Sequence, residues 1–196
     1  MSNLHIKNLP AKYQPIWEKC IPLLSQCRPG DDIHAKETAE FILNYQGSLT
    51  FDPDVLVPAG MMHDIGHSAI LDEHFKYVTG PQKIKNGKLV HMLIGAKIAK
   101  DILTEVGYPA EKTAEVVDII SMHDADALEG VSREEAYDTD HKKFFHDVDV
   151  LGRYSPERHK KLIGTYTEEQ LQKILQEHLN LFFYDEFREL AKQRLA

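Results

Sequence analysis

The chain has 196 residues, enough for one domain with a real core and marginal for two. Hydrophobic residues make up 42% and charged ones 28%, the balance of an ordinary globular protein. With 31 acidic and 23 basic residues the net charge is −8, which argues against non-specific binding to nucleic-acid backbones or anionic membranes. A small phosphorylated partner stays open, because a local cation outweighs a global field.

No stretch approaches the length of a membrane span, and Met1-Ser2-Asn3-Leu4-His5 lacks a signal-peptide pattern. Cys20 and Cys27 lie seven apart on what reads as one helix, too far apart to bridge, so they are expected to be buried thiols. The expected compartment is the cytoplasm.

Pro10 to Gln26 reads as a first amphipathic helix, with Ile16, Cys20, Leu23, Leu24 and Cys27 on one stripe. Pro29-Gly30 breaks it, and Asp31-Asp32 offer an N-cap for a second helix to about Tyr45, with His34 in its first turn. Pro53 starts a third helix, Asp54 to Asp64, apolar on most sides and interrupted by Pro58. From Ser68 to Leu89 the pattern weakens. Gly80-Pro81, Asn86-Gly87 and the lysines 76, 83, 85 and 88 read as a basic loop with a short helix near Ile70 to Phe75.

Periodicity returns for a helix from Leu89 to about Val106, opened by His91, where Gly95 and Ala96 permit a close backbone approach. A further helix, Ala110 to Met122, is closed by His123. Ser132 with Glu135 is a capping box for a helix continuing to about Gly152, and Thr167 with Gln170 is another for a last helix, Glu168 to Leu195. No stretch alternates as a strand would. The expected fold is all-α: one helical bundle with a C-terminal helical extension.

Eleven histidines is a high count, and their positions carry the functional argument. His63-Asp64 ends an apolar helix just before Gly66, where an imidazole and a carboxylate can converge outside the last turn as half of a divalent-metal site. His34, His91 and His123 each read singly as ordinary helix-end histidines. The helix dipole at the start of the second helix helps keep His34 neutral and able to ligate. In Phe144-Phe145-His146-Asp147-Val148-Asp149-Val150-Leu151, a carboxylate inside an apolar run is costly unless paired or bound to a cation. Helical spacing does not decide between Asp147 and Asp149.

The order His34, His63-Asp64, Asp149 resembles the HD superfamily of metal-dependent phosphohydrolases, over residues 30 to about 155, with 156 to 196 as an extension. The resemblance implies a single HD-type domain in which these four residues bind one divalent metal. By the family pattern the terminal aspartate is followed one residue later by leucine or another apolar residue, which Asp149-Val150-Leu151 fits better than Asp147. His91 and His123 resemble the two extra histidines of the binuclear branch, where the doublet aspartate bridges two ions. The text around His91 and His123 is similar to bacterial hydrolases of symmetrical diadenosine tetraphosphate.

Two ions about 3.5–4 Å apart would then activate a water for attack on phosphorus. Mixed imidazole and carboxylate ligands suit Fe first, then Mn, Co, Ni or Zn. Asp64 and His67 are the expected catalytic residues, His67 standing where many relatives carry lysine. Asp124 is a candidate to orient an imidazole, and Lys88, Lys97 and Arg153 are candidates to bind phosphate. The expected partner is a small phosphorylated substrate such as a nucleotide, and the chain is compatible with a homodimer. Two other readings share this pattern: an HD-fold mixed-valence diiron oxygenase and a non-catalytic HD-fold binding module.

Overall fold

The computed structural model describes residues 4–76, 81–128, 130–157 and 167–195. Among them every regular element is helical and no strand occurs, so the all-α expectation holds. The helices are α1 (Gln14–Leu24), α2 (Asp31–Asn44), α3 (Pro53–Met62), α4 (Pro81–Glu105), α5 (Ala110–Met122), α6 (Arg133–Ala136), α7 (Asp140–Gly152), α8 (Glu168–His178) and α9 (Asp185–Leu195). No helix among the described residues is long and apolar enough to cross a membrane.

The core is organised around α3. Every residue from Val55 to Met62 is buried, with α2, α5, α7 and α1 packed about it. Its start follows from sequence: Pro53 occupies the first turn, where a missing N–H costs nothing, and the Asp52 carboxylate accepts the Asp54 N–H at 2.8 Å. Pro58 lies inside the helix and cannot donate to the carbonyl of Asp54, four residues back. The Tyr108 hydroxyl donates to that carbonyl instead, at 2.7 Å. A side chain from the turn between α4 and α5 thus supplies the hydrogen bond that proline removes.

Four boundaries differ from the sequence reading. Cys27 lies beyond the end of α1, and Gly30 rather than an aspartate is the N-cap of α2, at φ 101°. The basic loop expected over 68–88 is helix from Pro81 onward, so His91 sits well inside α4 rather than opening it. The cost of Gly87 in a helix interior is only about 1 kcal/mol, which tertiary contacts outweigh. Gly80 and the side chains of Lys83 and Lys85 lie outside the described residues. The Ser132–Glu135 capping box is present but starts only the short α6; Thr139 then caps α7 afresh.

The expected last helix is two. The box at Thr167 and Gln170 starts α8, which closes in a 3-10 turn at Leu179–Leu181 before α9 begins. A buried carboxylate explains the break: Asp147 of α7 accepts the backbone N–H groups of Phe183 and Tyr184 at 2.9 and 2.8 Å. Amides held by a side chain in this way cannot also continue a helical ladder.

Tyr108→Phe should leave the Asp54 carbonyl without its donor and lower stability by about 1 kcal/mol. A thermal melt followed by far-UV circular dichroism should show a midpoint about 2–4 °C lower. An unchanged midpoint would mean that the proline gap is filled some other way.

Candidate metal centre

Five helices bring the candidate residues to one point. His63 is the residue that ends α3, and Asp64 follows it. His34 comes from the first turn of α2, His91 from α4, His123 from the end of α5 and Asp149 from α7. All six are buried, none more than 6% exposed. Two glycines permit the approach. A methyl group on Gly66 would overlap the His91 carbonyl oxygen, and one on Gly152 would overlap the His34 ring. Gly95 also stands against the backbone of Gly66 and His63, at 3.3 Å for an added Cβ, as the small-residue reading of α4 anticipates.

Asp64 is the hub. Its Oδ1 lies 3.7 Å from His91 Nε2, 3.8 Å from His123 Nε2 and 3.6 Å from His67 Nε2. Its Oδ2 lies 3.5 Å from His63 Nε2. Asp149 Oδ1 approaches His34 Nε2 at 2.6 Å and His63 Nε2 at 3.4 Å. Asp147, by contrast, faces the backbone of the turn before α9 and His146 Nδ1, at 3.1 Å. The carboxylate that α7 presents to the cluster is therefore Asp149.

The imidazoles are oriented by backbone. Nδ1 of His63, His91 and His123 faces the carbonyl of Gly60, Gly87 and Ile120 at 3.1, 3.3 and 2.8 Å. A proton on each Nδ1 satisfies those carbonyls and leaves Nε2 with a lone pair turned inward. His91 and His123 then face each other with Nε2 atoms 3.1 Å apart. His63 Nε2 and His67 Nε2 are buried with no hydrogen-bond partner. Orphaned, inward-facing nitrogen lone pairs beside two buried carboxylates are what a divalent cation requires, so the residues fit the group. Three overlapping sets have ligand atoms mutually within 4.8 Å: His34-His63-Asp64, Asp64-His67-His91 and His91-His123-Asp124.

Electrostatics agree with the geometry. Burial works against ionised Asp64, but His63, a contact from His123 and the Arg28 guanidinium hold it well below the usual carboxylate range. Asp149 is likewise held low against burial by His34 and His63. Burial would lower His63, yet Asp64 and Asp149 raise it to about 9. The two carboxylates thus bind positive charge, as a proton on His63 or as a cation in its place. Burial, then the charge of Arg28, pushes His67 down to about 3, and its ring stacks on His91 with centroids 4.2 Å apart. Burial, then His123, takes His91 down to about 4.

The cationic candidates divide. Lys88 Nζ lies 3.2 Å and Arg153 Nη2 3.6 Å from opposite oxygens of Asp124, at the mouth of the cluster. Asp124 therefore holds cations, while backbone carbonyls take the imidazole role expected of it. Lys97 does not reach the site: it is exposed and bonds Asp101 at 2.7 Å on the surface of α4. Six residues after His91, it projects about 120° away around the helix. Sequence reasoning missed Arg28, which is clamped by Asp31 through Nε at 2.9 Å and Nη2 at 3.1 Å and extends Nη2 to 3.3 Å from Asp64 Oδ2. Its place in the Pro-Gly turn directly before the His34 helix was the available signal. Cys27 also approaches, with Sγ 3.6 Å from the Asp64 carbonyl, and burial with nearby Asp31 and Asp64 pushes its thiol up to about 12. It is a thiol there, with no disulfide partner.

Comparison with known proteins gives one result. No curated protein and no solved structure matches the chain. The profile of the HD domain matches residues 31–191, running past the core expected to end near 155 and through most of the C-terminal helices. That match covers well over half of the sequence, and the chain belongs to the HD domain family.

Proposed function

We propose that the chain is a metal-dependent phosphohydrolase of the binuclear HD branch, cleaving a phosphate ester of a nucleotide or another small molecule. HD domains are mostly metal-dependent hydrolases. The observation that carries the reading is the convergence on Asp64 of four imidazole Nε2 atoms, three of them with Nδ1 set against a backbone carbonyl. A binding module has no need of that set.

In this reading His34, His63, Asp64 and Asp149 hold one cation, and Asp64, His91 and His123 hold a second, with His67 near enough to join it. A divalent cation there supplies Lewis acidity, which offsets phosphoryl charge and acidifies water. Fe is the preferred ion, with Mn, Co, Ni or Zn as alternatives of the same ligand chemistry. The protein's own groups do the rest. Arg28, Lys88 and Arg153 attract the phosphoryl anion and orient its oxygens. Asp124 keeps Lys88 and Arg153 at the mouth, and Asp31 fixes the fork of Arg28. His67, kept neutral by burial, serves beside Asp64 as a lone-pair or N–H partner rather than as an imidazolium acid.

Protein purified without added metal should carry about two equivalents of transition metal by elemental analysis. One equivalent would demote His91 and His123. His63→Ala and Asp64→Ala should lose metal and abolish phosphatase or phosphodiesterase turnover while keeping the helical circular-dichroism spectrum. Full turnover in either variant would sink the mechanism, and O₂ consumption with a mixed-valence paramagnetic signal would replace it with the oxygenase.

The two aspartates of α7 should separate cleanly. Asp149→Ala should lose bound metal with a small change in stability. Asp147→Ala should cost on the order of 3 kcal/mol, because it strands two backbone N–H groups and His146, yet leave the metal equivalents unchanged. Denaturant titration and elemental analysis on the two variants check this, and the reverse pattern would exchange their assignments.

A further inference from the structure

The cluster opens into a cavity of about 280 Å³ whose two sides differ in chemistry. One side is polar: Arg28, Lys88 and Arg153 stand around Asp64 and Asp149. Beyond the cluster itself, the rest of the lining is a single stripe of α8, Leu171, Ile174, Leu175 and His178, spaced at i, i+3, i+4 and i+7. Leu175 is buried and anchors the stripe in the core, while Leu171 and Ile174 are only half-buried. His178 adds one polar atom: its Nδ1 is buried with no hydrogen-bond partner.

The wall is tied to the helix that carries Asp149. Tyr154, just past the end of α7, donates its hydroxyl to the Leu175 carbonyl at 2.7 Å. Asp147 of α7 clamps the chain where it leaves the turn after α8. The spacing between the ion cluster and the apolar stripe is thus set by one rigid element.

We propose that α8 is the specificity wall of this site, and that the substrate is a small phosphomonoester whose organic part is a single apolar ring seated on Leu171 and Ile174. This rests on the phosphohydrolase reading for the word substrate, but the wall itself is a matter of binding. The cations at the mouth take the phosphoryl group. The apolar stripe would lie against charged groups only at a cost, so it needs an apolar partner. Size agrees with a small substrate: pockets for drug-sized ligands run roughly 300–1,000 Å³, and this one lies at the small end of that range. A cavity of about 280 Å³ suits a phosphoryl group with one ring better than two nucleosides joined by a polyphosphate. His178, which burial, Arg153 and Lys88 push down to about 4, is neutral and can donate to or accept from one polar atom of the ring.

The test is calorimetric titration of metal-replete protein with phenylphosphonate and methylphosphonate, two non-hydrolysable anions that differ only in the ring. The wild type should bind the phenyl compound about tenfold more tightly. Ile174→Gln, with Ile174→Ala as the milder variant, should bring phenylphosphonate to the methylphosphonate level and leave methylphosphonate within about twofold. Equal affinity of the wild type for the two anions, binding of neither, or an equal loss of both in the variants would overturn the wall. Hydrolysis of phenyl phosphate, glycerol phosphate and symmetrical diadenosine tetraphosphate is measured alongside. A phenyl preference in binding without turnover of any ester would keep the wall and overturn the hydrolase. Turnover with no ring preference would do the opposite, and preferred cleavage of the dinucleotide would overturn the single-ring limit.

Discussion

Asp64 imposes the constraint on which the rest depends. An ionised carboxylate 4% exposed at the end of an apolar helix is unfavourable by several kcal/mol unless positive charge meets it. A second buried carboxylate, Asp149, doubles the demand from the facing helix. The protein answers with imidazoles whose basic nitrogens are turned inward and with Arg28 at the edge. None of these alone neutralises two buried charges, and the low positions of Asp64 and Asp149 record how strongly the surrounding imidazoles and Arg28 favour their ionised forms. A divalent cation would answer the same electrostatic problem, and the clustered ligand atoms are placed to hold one.

The fold then has to deliver ligands from five helices to within a few ångströms, which is a packing problem. Bare backbone at the crossings solves it. Gly66 lies where any side chain would strike the α4 backbone at His91, and Gly152 lies where one would strike the His34 ring. The buried α3 adds rigidity: its Pro58 would weaken the helix that carries the doublet, and Tyr108 restores the missing hydrogen bond. Three of the imidazoles, His63, His91 and His123, are each turned by a carbonyl three or four residues earlier, so those ring directions follow from helix geometry and need no extra side chains.

Much of this was legible in the sequence, for a physical reason. A charged or ionisable residue inside an apolar run is anomalous on its own, so His63-Asp64 and Asp149 stand out before any coordinates are known. The histidines of α2, α4 and α5 stand out by number, and those of α2 and α5 also by nearness to helix ends. What stayed hidden depends on tertiary partners. Asp147 and Asp149 look alike by helical spacing, so that the resemblance alone favoured Asp149, and the amides of Phe183 and Tyr184 show what Asp147 does instead. The same two amides hide the break between α8 and α9, since a continuous apolar pattern gives no sign that a distant carboxylate will take over its hydrogen bonds. The start of α4 was hidden by glycine and lysine, which read as loop in isolation and are helical once packed. Lys97 and Arg28 show the matching limit for cations: the angle around α4 sends the lysine outward, while the turn before α2 sends Arg28 in.

A net charge of −8 and an anion-binding mouth are compatible because the two operate over different ranges. Exposed charges farther apart than about 8–10 Å are largely screened at ordinary ionic strength. The pairs that matter here are within 4 Å, each a partly exposed cation against a buried or largely buried carboxylate, where screening is weaker. Within that radius the carboxylates are already engaged with imidazoles and cations, and bound metal would reverse the local sign altogether. The acidic exterior repels polyanions that lack a group able to reach this depth. Under the proposed function a small phosphoryl group would enter where such polyanions would not, and depth, rather than overall charge, would be the first selector among anions.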